Sequence, residues 1–546
     1  MAQHPEASPT RRQLLAAAGT VAAGSAAALT LGSPPAEAAP GAGEPAAAAF
    51  GPVTVGPGDP RYSSLLRGDN FRFVGAPDEI RVCGSTDQVV RAVADAVRAG
   101  RQVAARSGGH CFEDFTAAPA VKTLLDLSPM DAVGYDPRRR AFSVQPGATL
   151  GRVYTTLFKG WGVTVPAGGC PEVGAGGHFV GGGYGPLSRR YGSVVDHLYA
   201  VEVVVVDRSG HARAVVATRE PDDPHADLFW AHTGGGGGNF GIVTRYWLRS
   251  PGATGDDPAT LLPPSPQRMQ AYLVTWQWSD LTQQGFTTLL RNFCTWHERN
   301  SAPDAPGAGL YNVLLPMHAS AKSFIMVTQM DADLPDGAQL LTDFYEALVQ
   351  GTGTAPVPQG AVTPWLHFTT WPGTGEGGTV AVRRYKLKAA YLRRSFTDAQ
   401  LDTIWTHLNN PTGTDQDGLL LIGYGGRIRS VPPEATAVAQ RDVVMKAVFQ
   451  SIWFGESEDA DRLAWVRGLY GEVFADTGGA PVPNEVAHGS YINYPDVDLA
   501  DPALNTSGVP WSTLYYGANY PRLQQVKARW DPRNVFRHAL SVEPPA

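Results

Sequence analysis

Ala167–Gly185 reads AGGCPEVGAGGHFVGGGYG, and nine of its nineteen residues are glycine. Cys170 stands within the run, and His178 and Tyr184 follow it. Glycine has no Cβ and adopts positive φ readily, so a glycine-rich backbone can approach a flat or phosphorylated group closely. Flexible linkers carry Ser and Pro rather than interleaved Cys, His, Phe and Tyr. The run therefore predicts a structured loop that holds a cofactor or another ligand.

The composition around this run is that of a large globular protein. The chain has 546 residues, of which 43% are hydrophobic and 17% charged. This length favours about two to four domains, and the low charge argues against extensive disorder. A net charge of −7 without a dense Lys/Arg stripe gives no support for nucleic acid or an anionic membrane as a partner. The composition indicates no particular oligomeric state.

The first 38 residues are typical of an export signal. Arg11 and Arg12 begin a TRRQLL motif, an Ala/Gly-rich apolar run follows, and Ala36-Glu37-Ala38 is a suitable cleavage site. The apolar run is too short and too weakly hydrophobic for a transmembrane anchor. We predict that residues 1–38 are a twin-arginine signal peptide and that the protein is secreted, crossing the membrane already folded around its cofactor.

Between residues 60 and 252 short helices and strands alternate. Asp87–Val97 has the periodicity of an amphipathic helix, with Ser85 or Thr86 as its N-cap. Further helices are predicted at Leu150–Lys159 and Asp227–Trp230. Strands are predicted at Gln102–Ala105, Val121–Leu127, Arg140–Val144, Val163–Ala167, Val201–Asp207 and Ile242–Leu248. The pattern indicates a compact α+β unit.

Residues 251–266 are rich in Pro and Gly and mark a boundary. Between 267 and 485 longer amphipathic helices alternate with strands, which favours an antiparallel sheet with helices on one face. The helices are predicted at Thr287–Trp296, Leu340–Val349 and Ala460–Phe474. The strands are predicted at Leu310–Leu315, Ser323–Gln329, Gly418–Tyr424 and Val443–Trp453. The tail, residues 490–540, is rich in Tyr and Asn.

His110 and Cys170 each stand in a glycine-rich loop that follows a predicted strand. Taken alone, a histidine more often lies on the surface or has its hydrogen bonds satisfied within the protein, and a cysteine is more often an inert buried thiol. Together the two loops predict a cofactor that is tethered from two sides. The four cysteines are too few for a disulfide framework, and no metal-ligand spacing, G-x-S-x-G elbow or Walker loop is present. No G-x-G-x-x-G follows an early strand within a βαβ unit, so a Rossmann nucleotide domain is not supported.

Five motifs carry a resemblance to a known family. They are RSGGHCFEDF at Arg106–Phe115, the glycine run extended to Pro166–Gly192, GGGGGNFGIVT at Gly234–Thr244, YINYPD at Tyr491–Asp496, and Tyr515–Phe536. In this order they resemble the berberine-bridge-enzyme-like FAD-linked oxidases, over nearly all of the chain beyond the signal peptide. The resemblance implies an FAD-binding domain of the PCMH or vanillyl-alcohol-oxidase type in residues 60–252. It also implies a substrate domain in 267–485, and a segment at 490–540 that returns to the FAD domain.

The resemblance implies bicovalent FAD, joined by His110 to the flavin 8α-methyl group and by Cys170 to flavin C6. The amides of Arg106–Gly109 and Gly174–Gly177 then face the pyrophosphate, Gly241–Val243 lines the adenine side, and Tyr184 lies against the flavin ring or the substrate entrance. The cofactor-binding residues expected besides His110 and Cys170 are Arg106, Ser107, Gly108, Gly109, Gly174, Gly176, Gly177, His178, Tyr184, Gly185, Gly241, Ile242 and Val243.

Alcohol oxidation needs a base for the hydroxyl proton. Tyr494 in YINYPD matches the tyrosine base of the family, and Tyr491 is its rival. On a strand, residues i and i+3 point to opposite faces, so only one of the two is expected to reach the substrate. Tyr424 in LIGYGGRI resembles a second tyrosine that assists a further dehydrogenation, with a packing role as the alternative.

The expected function is a secreted FAD oxidase of antibiotic biosynthesis. It would oxidise a CH–OH group of a glycosylated natural product, such as an anthracycline-type sugar, to a ketone, with or without a further desaturation, and reduce O2 to H2O2. An oligosaccharide or hexose oxidase that forms a lactone is the alternative. A secreted carbohydrate-binding protein would use the aromatic rings of Trp276, Trp278, Trp365 and Trp371, but it has no need of the two tethering loops.

Overall fold

The computed structural model describes residues 50–370 and 382–545. The predicted signal peptide at 1–38 and Trp371 lie outside these ranges. Within them the strands form three sheets. The α+β fold class expected from the sequence is confirmed, with a mixed sheet, two antiparallel sheets and helices packed against them.

The first sheet has three parallel strands and one antiparallel edge strand. Its strands are β1 (Val53–Val55), β2 (Glu79–Val82), β3 (Gln102–Arg106) and β4 (Val121–Asp126), in the spatial order β1-β2-β4-β3. Ser85 is the N-cap of helix α1 (Thr86–Arg98), and its hydroxyl accepts a hydrogen bond from the N–H of Gln88. Of the two predicted caps, Ser85 and Thr86, the structure therefore has Ser85. Strand β3 runs into the His110 loop.

The second sheet is antiparallel throughout. Its strands are β5 (Val133–Asp136), β6 (Ala141–Val144), β7 (Leu198–Val206), β8 (Ala212–Thr218) and β9 (Ile242–Leu248), in the order β5-β6-β9-β7-β8. The helices of this region are α2 (Leu150–Trp161), α3 (Ala175–Val180), α4 (Ser188–Tyr191) and α5 (Ala226–Ala231). Val89 and Val93 of α1 share one core cluster with Val204 and Ile242 of this sheet, so α1 joins the first two sheets.

The predicted strand at Val163–Ala167 is wrong. Val163 makes an isolated bridge to Pro264, and the N–H of Thr164 donates to the carbonyl of Pro263. Proline has no N–H to donate, so this pairing cannot continue as a ladder. The segment is extended but unpaired beyond that bridge, and it leads directly into the glycine-rich run.

The third sheet has seven strands, all antiparallel. They are β10 (Arg268–Gln277), β11 (Tyr311–Leu315), β12 (Ser323–Asp331), β13 (Gln359–Pro364), β14 (Arg384–Leu392), β15 (Gly418–Gly423) and β16 (Met445–Trp453), in the order β13-β10-β12-β11-β15-β16-β14. The helices here are α6 (Gln283–Arg299), α7 (Gly337–Val349), α8 (Trp365–Thr370), α9 (Asp398–Leu408) and α10 (Asp459–Val473). Sequence periodicity missed β10, β13, β14, α8 and α9.

The C-terminal segment carries α11 (Trp511–Tyr516) and α12 (Tyr520–Trp530) and packs on the first half of the chain. The buried ammonium of Lys527 in α12 donates to the carbonyl of Asn239 at 2.7 Å, and the N–H of Val542 donates to the Asn239 side chain at 2.8 Å. Phe536 joins the cluster of α1 and the second sheet. The tail therefore closes the space between the sheets and helps to line it.

Candidate active site

A cavity of about 460 Å³ lies where the first two sheets, the third sheet and the C-terminal segment meet. Its wall contains every residue that the sequence analysis assigned to the cofactor. These are Arg106, Ser107, Gly108, Gly109, His110, Cys170, Gly174, Gly176, Gly177, His178, Tyr184, Gly185, Gly241, Ile242 and Val243. Tyr491 and Tyr494 lie on the same wall, so tertiary folding brings four distant stretches of sequence to one site.

The two glycine-rich loops touch each other through their backbones. A Cβ on Gly108 would lie 2.5 Å from the amide nitrogen of Gly174, and one on Gly174 would lie 2.1 Å from the Ser107 hydroxyl. Gly177 differs, because a Cβ there would meet nothing within 4 Å. Some of the glycines are thus required by contact between the loops, whereas Gly177 leaves room in the cavity for a ligand.

Several donors that the loops were expected to offer to a pyrophosphate have partners within the protein. The amides of Ala175 and Gly176 donate to the carbonyls of Ala148 and Pro146, at 2.8 and 2.9 Å. The buried Arg106 guanidinium forms an ion pair with Asp126 at 2.6 Å. A phosphate would therefore be bound by the remaining amides of the two loops.

Cys170 is positioned by the turn that precedes it. The amide of Gly168 donates to Nε2 of His178 at 2.9 Å, and Gly168 O accepts the hydroxyl of Tyr154 at 2.6 Å. Burial lowers the pKa of His178 to about 3, so its Nε2 stays an unprotonated acceptor. Cys170 Sγ lies 3.4 Å from a carboxylate oxygen of Glu172. His178 therefore has a structural contact, and its expected contact with the cofactor stays a prediction. None of the four cysteines forms a disulfide within the described residues.

Tyr491 and Tyr494 face the same side, contrary to the strand argument. Residues 491–494 form a turn in which the amide of Tyr494 donates to the carbonyl of Tyr491 at 2.8 Å. The two rings meet edge to face with centroids 5.0 Å apart. The i and i+3 rule applies only to extended backbone, and Pro495 restricts the conformation of Tyr494.

The two hydroxyls have different partners. Tyr494 Oη lies 2.8 Å from Tyr184 Oη, and its ring stacks on Phe112 at 5.4 Å. Tyr491 donates its hydroxyl hydrogen to the carbonyl of Gly182 at 3.1 Å and accepts from the amide of Asn493 at 3.0 Å. Tyr494 therefore faces another titratable hydroxyl, whereas the hydroxyl of Tyr491 is held by main chain and amide.

Tyr424 is not among the residues that line the cavity. It is 1% exposed and lies behind Tyr184, with ring centroids 5.5 Å apart. Burial raises its pKa to about 12. The structure places this tyrosine in a layer behind the cavity wall, and its role in a further dehydrogenation stays a prediction.

Lys446 of β16 is a functional candidate that the sequence analysis missed. Its Nζ lies 3.3 Å from the ring centroid of Tyr184 and 3.5 Å from that of Tyr491, and Tyr494 is 6.0 Å away. The ammonium is buried and makes no hydrogen bond within the described part of the chain. Its signal in the sequence is a single charge within an otherwise uncharged buried strand, Met445–Trp453.

Burial acts on the amine and on the phenols around it in opposite directions. It lowers the pKa of Lys446 well below the ordinary value and raises the pKa of Tyr184 and of Tyr491. The two shifts move the pKa values apart, so burial favours a neutral amine beside neutral phenols. Such a group of aromatic hydroxyls around an amine can accept a proton from a bound alcohol.

Of the four tryptophans named as a carbohydrate platform, the three within the described residues lie in the core. Trp276 and Trp365 are 1% and 2% exposed, and Trp278 stacks on Phe286 with centroids 5.2 Å apart. These three side chains do not line the cavity. Within residues 50–370 and 382–545 no helix is long and apolar enough to cross a membrane, and no cluster of His, Cys, Asp and Glu has the makings of a metal site.

Comparison with known proteins gives matches in both halves of the site. Residues 77–213 match the family described as FAD binding domain, and residues 490–543 match the family described as berberine and berberine like. The chain is 51% identical over 543 residues to an aclacinomycin-N/aclacinomycin-A oxidase of Streptomyces galilaeus, which covers 98% of both chains. It is 33% identical to a hexose oxidase of Chondrus crispus, over 89% of this chain and 93% of the relative.

The fold is also similar to that of a solved enzyme. The crystal structure of a glycopeptide hexose oxidase complexed with teicoplanin superposes with a TM-score of 0.87 at 50% sequence identity, over 91% of this chain and all of that one. The likeness confirms the expected PCMH-type FAD-binding fold. The full-length relationship to FAD oxidases confirms that the protein is an FAD-dependent oxidoreductase. The chain belongs to the berberine-bridge-enzyme-like family of FAD-linked oxidases.

Proposed function

We propose that this protein oxidises a CH–OH group on the sugar of a glycosylated natural product and transfers the electrons to O2. The observation that carries the proposal is the cavity that joins the His110 and Cys170 loops to the hydroxyls of Tyr494 and Tyr184 beside Lys446. Cofactor loops and a proton acceptor on one wall suit the removal of a hydride and a proton from one alcohol.

The residues present fit FAD held by two covalent bonds. An imidazole and a thiol, from His110 and Cys170, both line the cavity, which places one possible attachment group on each of the two glycine-rich loops. Gly177 leaves space for a bulky group beside them. Bound FAD would supply the acceptor for the hydride, and its reoxidation by O2 would release H2O2.

The chain's own residues handle the proton. We propose that Tyr494 Oη accepts the hydroxyl proton of the substrate, while the substrate carbon gives up its hydride, so that the alcohol becomes a carbonyl group. Tyr494 acts in its phenolate form and becomes a neutral phenol when it accepts the proton. Tyr184 Oη, at 2.8 Å, is placed to donate a hydrogen bond to that phenolate, and Lys446, across the face of the Tyr184 ring, stabilises the negative charge that Tyr494 carries before the transfer. Removal of one hydride and one proton balances the two electrons delivered to O2.

The substrate class follows from the relatives. One is named for aclacinomycins, and another is a hexose oxidase crystallised with the glycopeptide teicoplanin. We propose an anthracycline-type glycoside as substrate, with a role in antibiotic biosynthesis. A free hexose or an oligosaccharide, oxidised to a lactone, is the second candidate because of the relative named hexose oxidase. A screen of aclacinomycin A, a glycopeptide and D-glucose, measured by peroxide release, decides between them. Peroxide from none of these compounds would contradict the proposed substrate class.

The covalent attachment has a direct test. The purified protein is expected to stay yellow after acid precipitation, and His110→Ala or Cys170→Ala each to keep a single flavin bond, which peptide mass spectrometry locates. The double variant is expected to release all flavin into the acid supernatant. Cys111→Ala is the matched control, because Cys111 also lines the cavity and neighbours His110. Free flavin from the unsubstituted protein, or loss of attachment in the control alone, would contradict the assignment.

We also propose that the protein is exported through its twin-arginine motif at Arg11 and Arg12. A folded flavoprotein suits this route, because the cofactor is then inserted before export. Replacement of both arginines by lysine is expected to retain the protein inside an expressing bacterium, and secretion of that variant at the normal level would contradict the proposal.

A further inference from the structure

A buried ionic cluster lies on the face of β14 that points away from the cavity. The ammonium of Lys386 is 2.5 Å from Glu113 Oε1 and 2.7 Å from Asp496 Oδ1, and none of these side chains is more than 3% exposed. The neighbours Tyr385 and Leu387 point the other way and line the cavity. One strand therefore has the cavity on one face and the cluster on the other.

Lys386 joins two segments that are distant in sequence. Glu113 follows His110 by three residues, and Asp496 follows Tyr494 by two. The amide of Val497 also donates to Glu113 Oε1 at 3.4 Å. A single ammonium thus ties the loop of the proposed flavin attachment to the turn of the proposed base.

The same two segments meet again at the cavity wall. Phe112, between His110 and Glu113, stacks on Tyr494 with the rings 15° from parallel. Its other neighbour is Tyr385, edge-on at 5.6 Å. Phe112 is therefore held between the base and the strand that carries Lys386, and the ammonium lies behind this stack.

The carboxylates of the cluster depend on Lys386 to different extents. Asp496 also has Lys388 at 2.5 Å, and Asp498 has Arg467 at 2.8 Å. Within the described residues Glu113 has no ion pair except that with Lys386. Loss of this ammonium would leave the carboxylate of Glu113 buried without an ion pair. A buried charge without a partner lowers the stability of the folded protein.

We propose that Lys386 is a positioning residue that couples the His110 loop to the Tyr494 turn, so that the flavin attachment and the base keep one relative geometry. This rests on the proposed function, since the two ends of the coupling are the groups assigned there. A merely structural ion pair would affect stability alone. A positioning ion pair also determines how well the base and the flavin ring are aligned, where displacements of about 1 Å cost much of the rate.

The test compares Lys386→Met with the double variant Lys386→Met/Glu113→Gln. The double variant leaves no charge of the cluster unpaired, because Lys388 pairs with Asp496 and Arg467 pairs with Asp498. Three properties are measured: the Tm, the fraction of flavin bound through His110, and the rate of anaerobic flavin reduction. The reductant is aclacinomycin A or D-glucose, whichever reacts faster with the unsubstituted protein. Arg462→Met is the matched control, because its partner Asp417 is buried and neither residue lines the cavity.

We expect Lys386→Met to lower the Tm, the His110-bound fraction and the reduction rate, the last on the order of tenfold. The double variant is expected to regain the Tm but not the other two properties, and Arg462→Met to lower the Tm only. The coupling is overturned if the double variant regains all three properties together, or if Lys386→Met behaves like Arg462→Met. If the unsubstituted protein has no covalent flavin, the attachment proposal is wrong. The coupling is then tested only by whether flavin reduction is slower in the double variant than in the unsubstituted protein.

Discussion

Replacement of Tyr494 by phenylalanine is expected to slow flavin reduction by substrate on the order of 10²- to 10⁴-fold, which is the usual contribution of a general base. The variant keeps the ring that stacks on Phe112 and loses only the hydroxyl that faces Tyr184 at 2.8 Å. Covalent flavin content, Tm and reoxidation by O2 should therefore change little. Anaerobic stopped-flow reduction, followed at the flavin absorbance, measures the effect.

Tyr491→Phe is the matched control for this experiment. Its hydroxyl donates to the carbonyl of Gly182 and receives the amide of Asn493, so its loss should loosen the turn without removing the proton acceptor. We expect a smaller loss of reduction rate than for Tyr494→Phe. If Tyr491→Phe is the slower variant, the base is Tyr491 and the assignment made here is wrong.

Lys446→Met is expected to move the pH profile of flavin reduction to higher pH and to slow the reaction at pH 7 on the order of 10- to 10³-fold. The reason is the amine that lies 3.3 Å from the Tyr184 ring centroid and 3.5 Å from that of Tyr491. Lys446 acts as a cation when it takes up a proton, and a cation beside an acidic group lowers the pKa of that group by about 1–3 units, each of which changes the deprotonated fraction tenfold. Burial raises the pKa of Tyr184 and of Tyr491, and Lys446→Met removes the neighbouring group that can offset this effect by taking up a proton.

The same variant should be more stable than the unsubstituted protein. Lys446 Nζ is buried and makes no hydrogen bond within the described residues, and such a group costs stability that a methionine of similar length does not. A higher Tm with slower, alkaline-shifted reduction would separate a catalytic function from a structural one. An unchanged pH profile in Lys446→Met would show that the amine does not act on the base.

The cofactor loops could be predicted because their requirement is local. A stretch such as RSGGHC or AGGCPEVGAGG shows its close backbone approach in the sequence itself, since only glycine lacks a Cβ. The motifs matched a known family in order, and every cofactor residue named from them lines the one cavity described. The sequence did not show that Gly108 and Gly174 lie against each other and that neither position has space for a Cβ. This contact depends on how the two loops pack in the folded protein.

The arrangement of the base could not be predicted in the same way. Periodicity assumed extended backbone for YINYPD, but the segment is a turn, so Tyr491 and Tyr494 share one side. Tyr424, chosen by its motif, lies behind Tyr184 and not on the cavity wall. A motif identifies a residue type at a position, whereas its distance from a ligand is determined by the strand pairing of the third sheet.

The amino-acid sequence by itself determined the family, the α+β class and the two cofactor loops around the glycine-rich run, because glycine content, periodicity and short motifs are properties of neighbouring residues. Only the tertiary structure decided which charges have partners. In RYKLKAAYL the two lysines of β14 have the alternation of a solvent-exposed face, yet both are buried, and Lys386 pairs with Glu113, 273 residues away. Lys446 likewise becomes a candidate for catalysis only when three tyrosines from two other segments surround it. The effect of burial on a charge depends on what the fold places beside it, and that information is not local in the chain.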